Sequence, residues 1–173
     1  YRNCLKIFEE YAFAFPEISM QLTHNNKSIY NLSSTDFKTR LMQLFQSQTV
    51  QSCLEVQNLA EDCKVSGFIG LPEIAKDRQN YQFLAINGRP LNPAMVATAV
   101  KKAYGNRIFP SQRPAFFLNI ELPAHHIDVN VHPRKLDARF LMPQQIFSRI
   151  YKTVEHSLSK SDLGINLSAK ASQ

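Results

Sequence analysis

Six consecutive residues, Ile127-Asp128-Val129-Asn130-Val131-His132, alternate strictly between apolar and polar types. A strand sends successive side chains to opposite faces, so this period of two predicts Ile127, Val129 and Val131 against a core and Asp128, Asn130 and His132 in a polar row. Pro133 ends the backbone pairing, and Arg134-Lys135 then project from a strand end, where a rigid sheet can hold a cation in place. A lysine fixed there suits a phosphate. Its ammonium is a compact point charge with three donors able to meet a terminal phosphate oxygen, whereas arginine reads planar anions through two parallel bonds. The pattern alone leaves a half-exposed strand with a solvated lysine equally open.

A second segment, Phe83-Leu84-Ala85-Ile86-Asn87-Gly88-Arg89-Pro90, reads as a buried strand that stops in a tight Asn-Gly turn. No alternating run follows the turn, so it is expected to redirect the chain rather than close a hairpin, and to expose Arg89.

Charge narrows the chemistry further. The net charge of +6 is unevenly placed: residues 1–75 hold six Lys/Arg against eight Asp/Glu, while residues 76–156 hold twelve against five. An anionic partner would meet the second half, and a solvated, solubilising surface is the competing reading. The three cysteines, Cys4, Cys53 and Cys63, are an odd number with no short pair spacing, so neither a zinc cluster nor a disulfide framework is suggested, and an intracellular, reducing compartment is expected. Adjacent His125 and His126 are poorly placed to share a metal, so none is expected. No apolar run reaches a membrane span, and Tyr1-Arg2-Asn3-Cys4 has neither a start methionine nor a signal pattern, so the chain is expected to be soluble and a fragment.

These segments need elements to position them. Leu5, Phe8, Ala12 and Phe15 recur at helical spacing before Pro16, and Ile18, Met20 and Leu22 alternate toward an Asn25-Asn26 turn with a return strand through Ile29 and Tyr30. Ser34 or Asp36 is placed to cap a helix striped by Phe37, Leu41, Leu44 and Phe45. Strands are predicted over 50–59, 63–71, 81–87 and 115–122. Helices are predicted from Pro93 to Tyr104, stopped by Gly105-Asn106, and from about Pro143 to Ser159, striped by Ile146, Ile150, Val154 and Leu158. No repeat or separate second domain is visible, and the tail over 159–173 is polar and expected to fray.

The joint order of Phe15-Pro16-Glu17-Ile18-Ser19, Gly67-Phe68-Ile69-Gly70, the Asn87-Gly88-Arg89-Pro90 turn, Arg113-Pro114 and Asp128-Val129-Asn130-Val131-His132-Pro133-Arg134-Lys135, continued by Leu136-Asp137-Ala138-Arg139-Phe140, strongly resembles the MutL family of DNA mismatch repair proteins. The likeness covers roughly residues 5–158. It implies that residues 1–158 are the transducer domain that follows a nucleotide-binding domain shared with gyrase and heat-shock chaperones. The implied fold is α+β: a mixed β-sheet with helices packed on one side, like the second domain of a small-subunit ribosomal protein, with a left-handed β-α-β crossover.

By the same resemblance Lys135 would reach the γ-phosphate of ATP held, with magnesium, by the upstream domain. This chain has no Gly-rich phosphate loop of its own, so the fragment is expected not to hydrolyse ATP, while the whole protein would be a weak ATPase. The family's weak, sequence-independent DNA binding would draw on Arg78, Arg89, Lys101, Lys102, Arg107 and Arg113, assigned by charge and location. The family also implies a homo- or heterodimer and the mismatch-recognition protein MutS as partners, in the bacterial cytoplasm or a eukaryotic nucleus. One departure touches the DNA surface: where some members carry further arginines after the turn, this sequence has Leu91, Asn92, Pro93 and Ala94. Two other classes compete. A stand-alone nucleic-acid-binding module of ribosomal or translational type would have no use for a positioned lysine, and a small-molecule kinase would need the phosphate loop that is missing.

Overall fold

The computed structural model describes residues 1–92, 94–128 and 139–171. β3 (Cys53–Ala60) and β4 (Cys63–Gly70) form a hairpin in continuous register, Cys53 opposite Gly70 and Ala60 opposite Cys63. β4 also pairs antiparallel with β7 (Phe116–Glu121), and β7 pairs in parallel with β5 (Gln82–Ile86), Phe83 opposite Phe117. The two-residue β6 (Arg89–Pro90) closes the edge, giving the order β3-β4-β7-β5-β6. A parallel pair needs a crossover, and α4 (Ala94–Tyr104) supplies it between β5 and β7.

The nearly unbroken apolar runs of β5 and β7 signal strands buried on both faces. Phe116, Phe117 and Leu118 are all closed to solvent. On one face Val65, Ile69, Leu84, Phe116 and Leu118 pack against Val96, Ala99, Val100 and Ala103 of α4 and against α5 (Pro143–Ala171). The α5 stripe Ile146, Ile150, Val154 and Leu158 is fully buried, as its four-residue spacing requires. This is the expected α+β fold with a mixed sheet and its helical layer. The opposite face carries a second layer that the sequence did not reveal: Phe68, Phe83, Ala85 and Phe117 pack against α1 (Arg2–Ala14) and α2 (Phe37–Leu44).

Between these layers the pairing of β4 with β7 leaves no room for a side chain at one point. Gly67 has φ +135°, and a Cβ there would lie 2.0 Å from the carbonyl oxygen of Phe117. Only glycine fits this point of the sheet.

The second layer is tied together through one cation. The hairpin of β1 (Met20–His24) and β2 (Lys27–Leu32) turns through Asn25 and Asn26 at φ 49° and 59°, the left-handed geometry a two-residue turn demands. Asp36 caps α2 by accepting from the Thr39 amide at 3.0 Å. Arg40, fully buried, donates through Nη2 to the carbonyls of Pro16, Ile18 and Ser33 at 2.7–2.9 Å.

The elements differ from expectation at four points. Val50 lies in the short helix α3 (Ser47–Gln51) and not in a strand, because an apolar residue before a strand carries no period of its own. Phe13, outside the expected stripe, is the buried aromatic of α1, touching Phe37 and Phe83. Ile18 stays 46% exposed. The α5 backbone continues to Ala171, past the end of its apolar stripe at Leu158.

Candidate functional site

The Asn-Gly turn of the second segment is tied to the end of β7, a few residues before the first segment begins. Asn87 and Gly88 have φ 49° and 72°, and the chain does close a hairpin there, with Ile86 opposite Arg89 and Ala85 opposite Pro90. The expected redirecting turn is therefore corrected. The return strand is only two residues long, too short to show alternation, and it lies on the sheet edge, where a proline is tolerated. The turn exposes Arg89, as expected. The Asn87 side chain donates from Nδ2 to the Leu122 carbonyl at 2.9 Å and accepts the Leu122 amide on Oδ1 at 2.8 Å. Its backbone amide donates to Ile120.

That bidentate clamp fixes the exit of β7. The chain passes through a 3-10 turn, Ala124–His126, into β8 (Ile127–Asp128), which pairs with β9 (Arg139–Phe140) so that Asp128 stands opposite Arg139. The polar row Asn130 and His132, with Pro133, Arg134 and Lys135, lies outside the described residues.

The basic candidates separate into distinct environments. Lys101, Lys102 and Arg113 line one hollow of about 650 Å³ together with Gln82, Asn92 and Thr98, and no carboxylate lines it among the described residues. Lys102 and Arg113 are exposed. Lys101 is partly committed, since Nζ donates to the Pro110 carbonyl at 2.6 Å, and the Lys102 ammonium lies 5.8 Å over the Phe147 ring. Cations around one concave surface attract a polyanion, because no carboxylate among the described lining residues cancels their field.

The remaining candidates stand apart. Arg107 is bound within the protein, its Nη2 2.8 Å from Asp162 and 3.2 Å from the Ser159 hydroxyl, so it joins the 3-10 turn after α4 to α5. Arg78 and Arg89 are exposed but do not line the hollow. Sequence reading missed Lys76, an exposed cation whose backbone bridges that of Arg113 with bonds of 3.1 and 2.8 Å. Its signal lay in the loop charges, but the bridge joins positions far apart in sequence. No group of three His, Cys, Asp or Glu side chains able to hold a metal occurs among the described residues. No helix among them is long and apolar enough to cross a membrane.

Residues 41–159 match the family model described as DNA mismatch repair protein, C-terminal domain. The DNA mismatch repair protein MutL of Flavobacterium psychrophilum is 28% identical over 159 residues, covering 92% of this chain and 26% of that protein. The chain spans about a quarter of the length of the curated relatives it matches. A crystal structure of the N-terminal domain of a DNA repair protein superposes with a TM-score of 0.78 at 22% identity, covering 94% of this chain and 54% of that one. The Aquifex aeolicus MutL ATPase domain complexed with ADP gives 0.51 at 22% identity, covering 70% and 42%. At these identities the two structures establish the shared fold.

Proposed function

The chain belongs to the MutL family of DNA mismatch repair proteins, and from that premise we propose that it is the transducer, coupling the nucleotide state of an upstream domain to a DNA-holding groove. The observation that carries the reading is the hollow walled by Lys101, Lys102 and Arg113 with no carboxylate among its described lining residues. Phosphates bind there by charge, without base contacts, so recognition is indifferent to sequence.

Lys135 is the proposed nucleotide contact. The Asn87 clamp supports the reading because it holds the exit of β7, from which the chain runs into Asp128 and on toward this lysine. ATP and magnesium would be held by the upstream domain. This chain would contribute a single positive charge at the terminal phosphate, where charge redistributes as the bond breaks. Alone the chain is inactive on ATP; the whole protein is a slow ATPase, works as a MutL-type dimer, and meets MutS.

Fluorescence anisotropy on duplex DNA across a salt series tests the groove. Lys102→Gln with Arg113→Gln removes two exposed cations, so the slope of log affinity against log salt should shrink by about 1.8, roughly 0.9 for each phosphate left without its cation. Arg107→Gln, whose charge is spent on Asp162, should leave the slope unchanged. An unaltered slope in the double variant would place the DNA elsewhere.

A further inference from the structure

Phe109 is the most exposed large apolar side chain among the described residues, at 74%. A scattered surface aromatic needs no explanation when its loop is loose. This loop is braced. The Phe109 amide donates to Gln112 Oε1 and the Gln112 amide to the Phe109 carbonyl, both at 2.9 Å. Gln112 Nε2 donates to the Ala75 carbonyl at 3.2 Å, and Ser111 donates to Asp77 at 2.7 Å. Lys101 Nζ reaches the neighbouring Pro110 carbonyl at 2.6 Å.

Position adds a second observation. Phe109 borders a hollow of about 760 Å³ that Lys101 also lines, and Lys101 is at the same time a wall of the basic groove. The groove therefore ends beside a flat, apolar, pre-positioned ring. The only carboxylate lining this second hollow among the described residues is Glu73, and Arg107 there is paired with Asp162; the charge shared with the groove is that of Lys101, whose ammonium rests on the neutral Pro110 carbonyl and is not cancelled by it.

A ligand that offers phosphates to the cations and a π-face to the ring is a nucleic acid with an unpaired base. Duplex DNA keeps its base faces inside the stack, whereas a single strand presents them, and every base has a face to offer. We propose that Phe109 is a stacking platform for an unpaired nucleobase at the end of the basic groove, giving the chain a preference for single-stranded over duplex DNA. The proposal rests on the DNA-holding role of that groove.

The sequence contains no tryptophan, so Phe109→Trp gives a protein with a single tryptophan, which can be excited selectively over its six tyrosines. Oligothymidylate should quench it on binding, and a duplex of equal length should not. Phe109→Ala should weaken oligothymidylate binding roughly 5- to 150-fold, the range expected when one base stack is removed. Its duplex affinity and both salt slopes should be unchanged, because every phosphate keeps its cation. Phe109 has little packing to lose, and far-ultraviolet circular dichroism would verify the fold. Equal losses on both DNA forms, or no loss on either while the unaltered chain binds, would overturn the stacking role alone. An unaltered chain that binds neither form would overturn the groove reading, and this inference with it.

Discussion

Arg40→Met tests whether one buried cation organises the second helical layer, the one built from α1 and α2. In the folded protein a single nitrogen, Nη2, serves three carbonyls, those of Pro16, Ile18 and Ser33. The Pro16 carbonyl keeps a second donor, the Thr35 amide at 3.0 Å, so two carbonyls are at risk. A bond to a charged donor contributes about 1.5–3 kcal/mol, giving a gross loss of about 3–6 kcal/mol. Against this, the guanidinium carries its own penalty: Nε and Nη1 are buried without partners, and burial lowers its pKa although Glu17 opposes the shift. Relieving that penalty returns about 1–3 kcal/mol, so with both terms at mid-range the net loss should be about 2–3 kcal/mol. Urea unfolding would show it as a midpoint lower by about 1 M with the slope preserved, taking a slope of about 2–3 kcal/mol/M. Arg40→Lys should recover part of the loss, because all three acceptors converge on one nitrogen and an ammonium carries three donors at one point. A loss below about 0.5 kcal/mol for Arg40→Met would show that relief of the buried charge cancels the bonds, and would refute the organising role.

Gly67→Ala should destabilise by more than about 3 kcal/mol or prevent folding, since its Cβ would collide with the Phe117 carbonyl at 2.0 Å; thermal unfolding reads this directly. Glu9 accepts a hydrogen bond from Tyr30 at 2.8 Å, yet burial raises its pKa, with the Tyr30 bond opposing and nearby Glu10 adding to the rise. The folded state therefore binds this proton more tightly than the unfolded one. Glu9's contribution is complete below the ordinary glutamate pKa and is lost as pH climbs through the raised value; Glu9→Gln should remove that dependence in stability measured from about pH 4 to 8. In the whole protein, Lys135→Ala should impair ATP hydrolysis while leaving ADP affinity nearly intact, as measured by phosphate release and calorimetry. Equal loss of ATP and ADP binding would assign the lysine a structural role instead.

Periodicity and turn chemistry are local properties, and what depended on them was legible in the sequence. The α5 stripe from Ile146 to Leu158, the Asn25-Asn26 hairpin and the Asp36 cap follow from spacing of three or four, spacing of two, and a side chain that reaches an amide three residues on. The uneven charge likewise placed the anion-binding candidates in the second half. Tertiary structure decided which of them act together. Arg107 and Lys101 both look free in the sequence, but one is bound to Asp162 across to α5 and the other to Pro110, while Arg113 joins Lys102 only because the chain returns to the end of α4. The Asn87 clamp on Leu122, 35 residues away, and the second layer over Phe83 and Phe117 were equally invisible. The physical reason is the same in each case. A backbone dihedral preference or a helical period is set by neighbours along the chain, whereas a hydrogen bond or ion pair between distant residues exists only after the sheet has fixed where both ends lie.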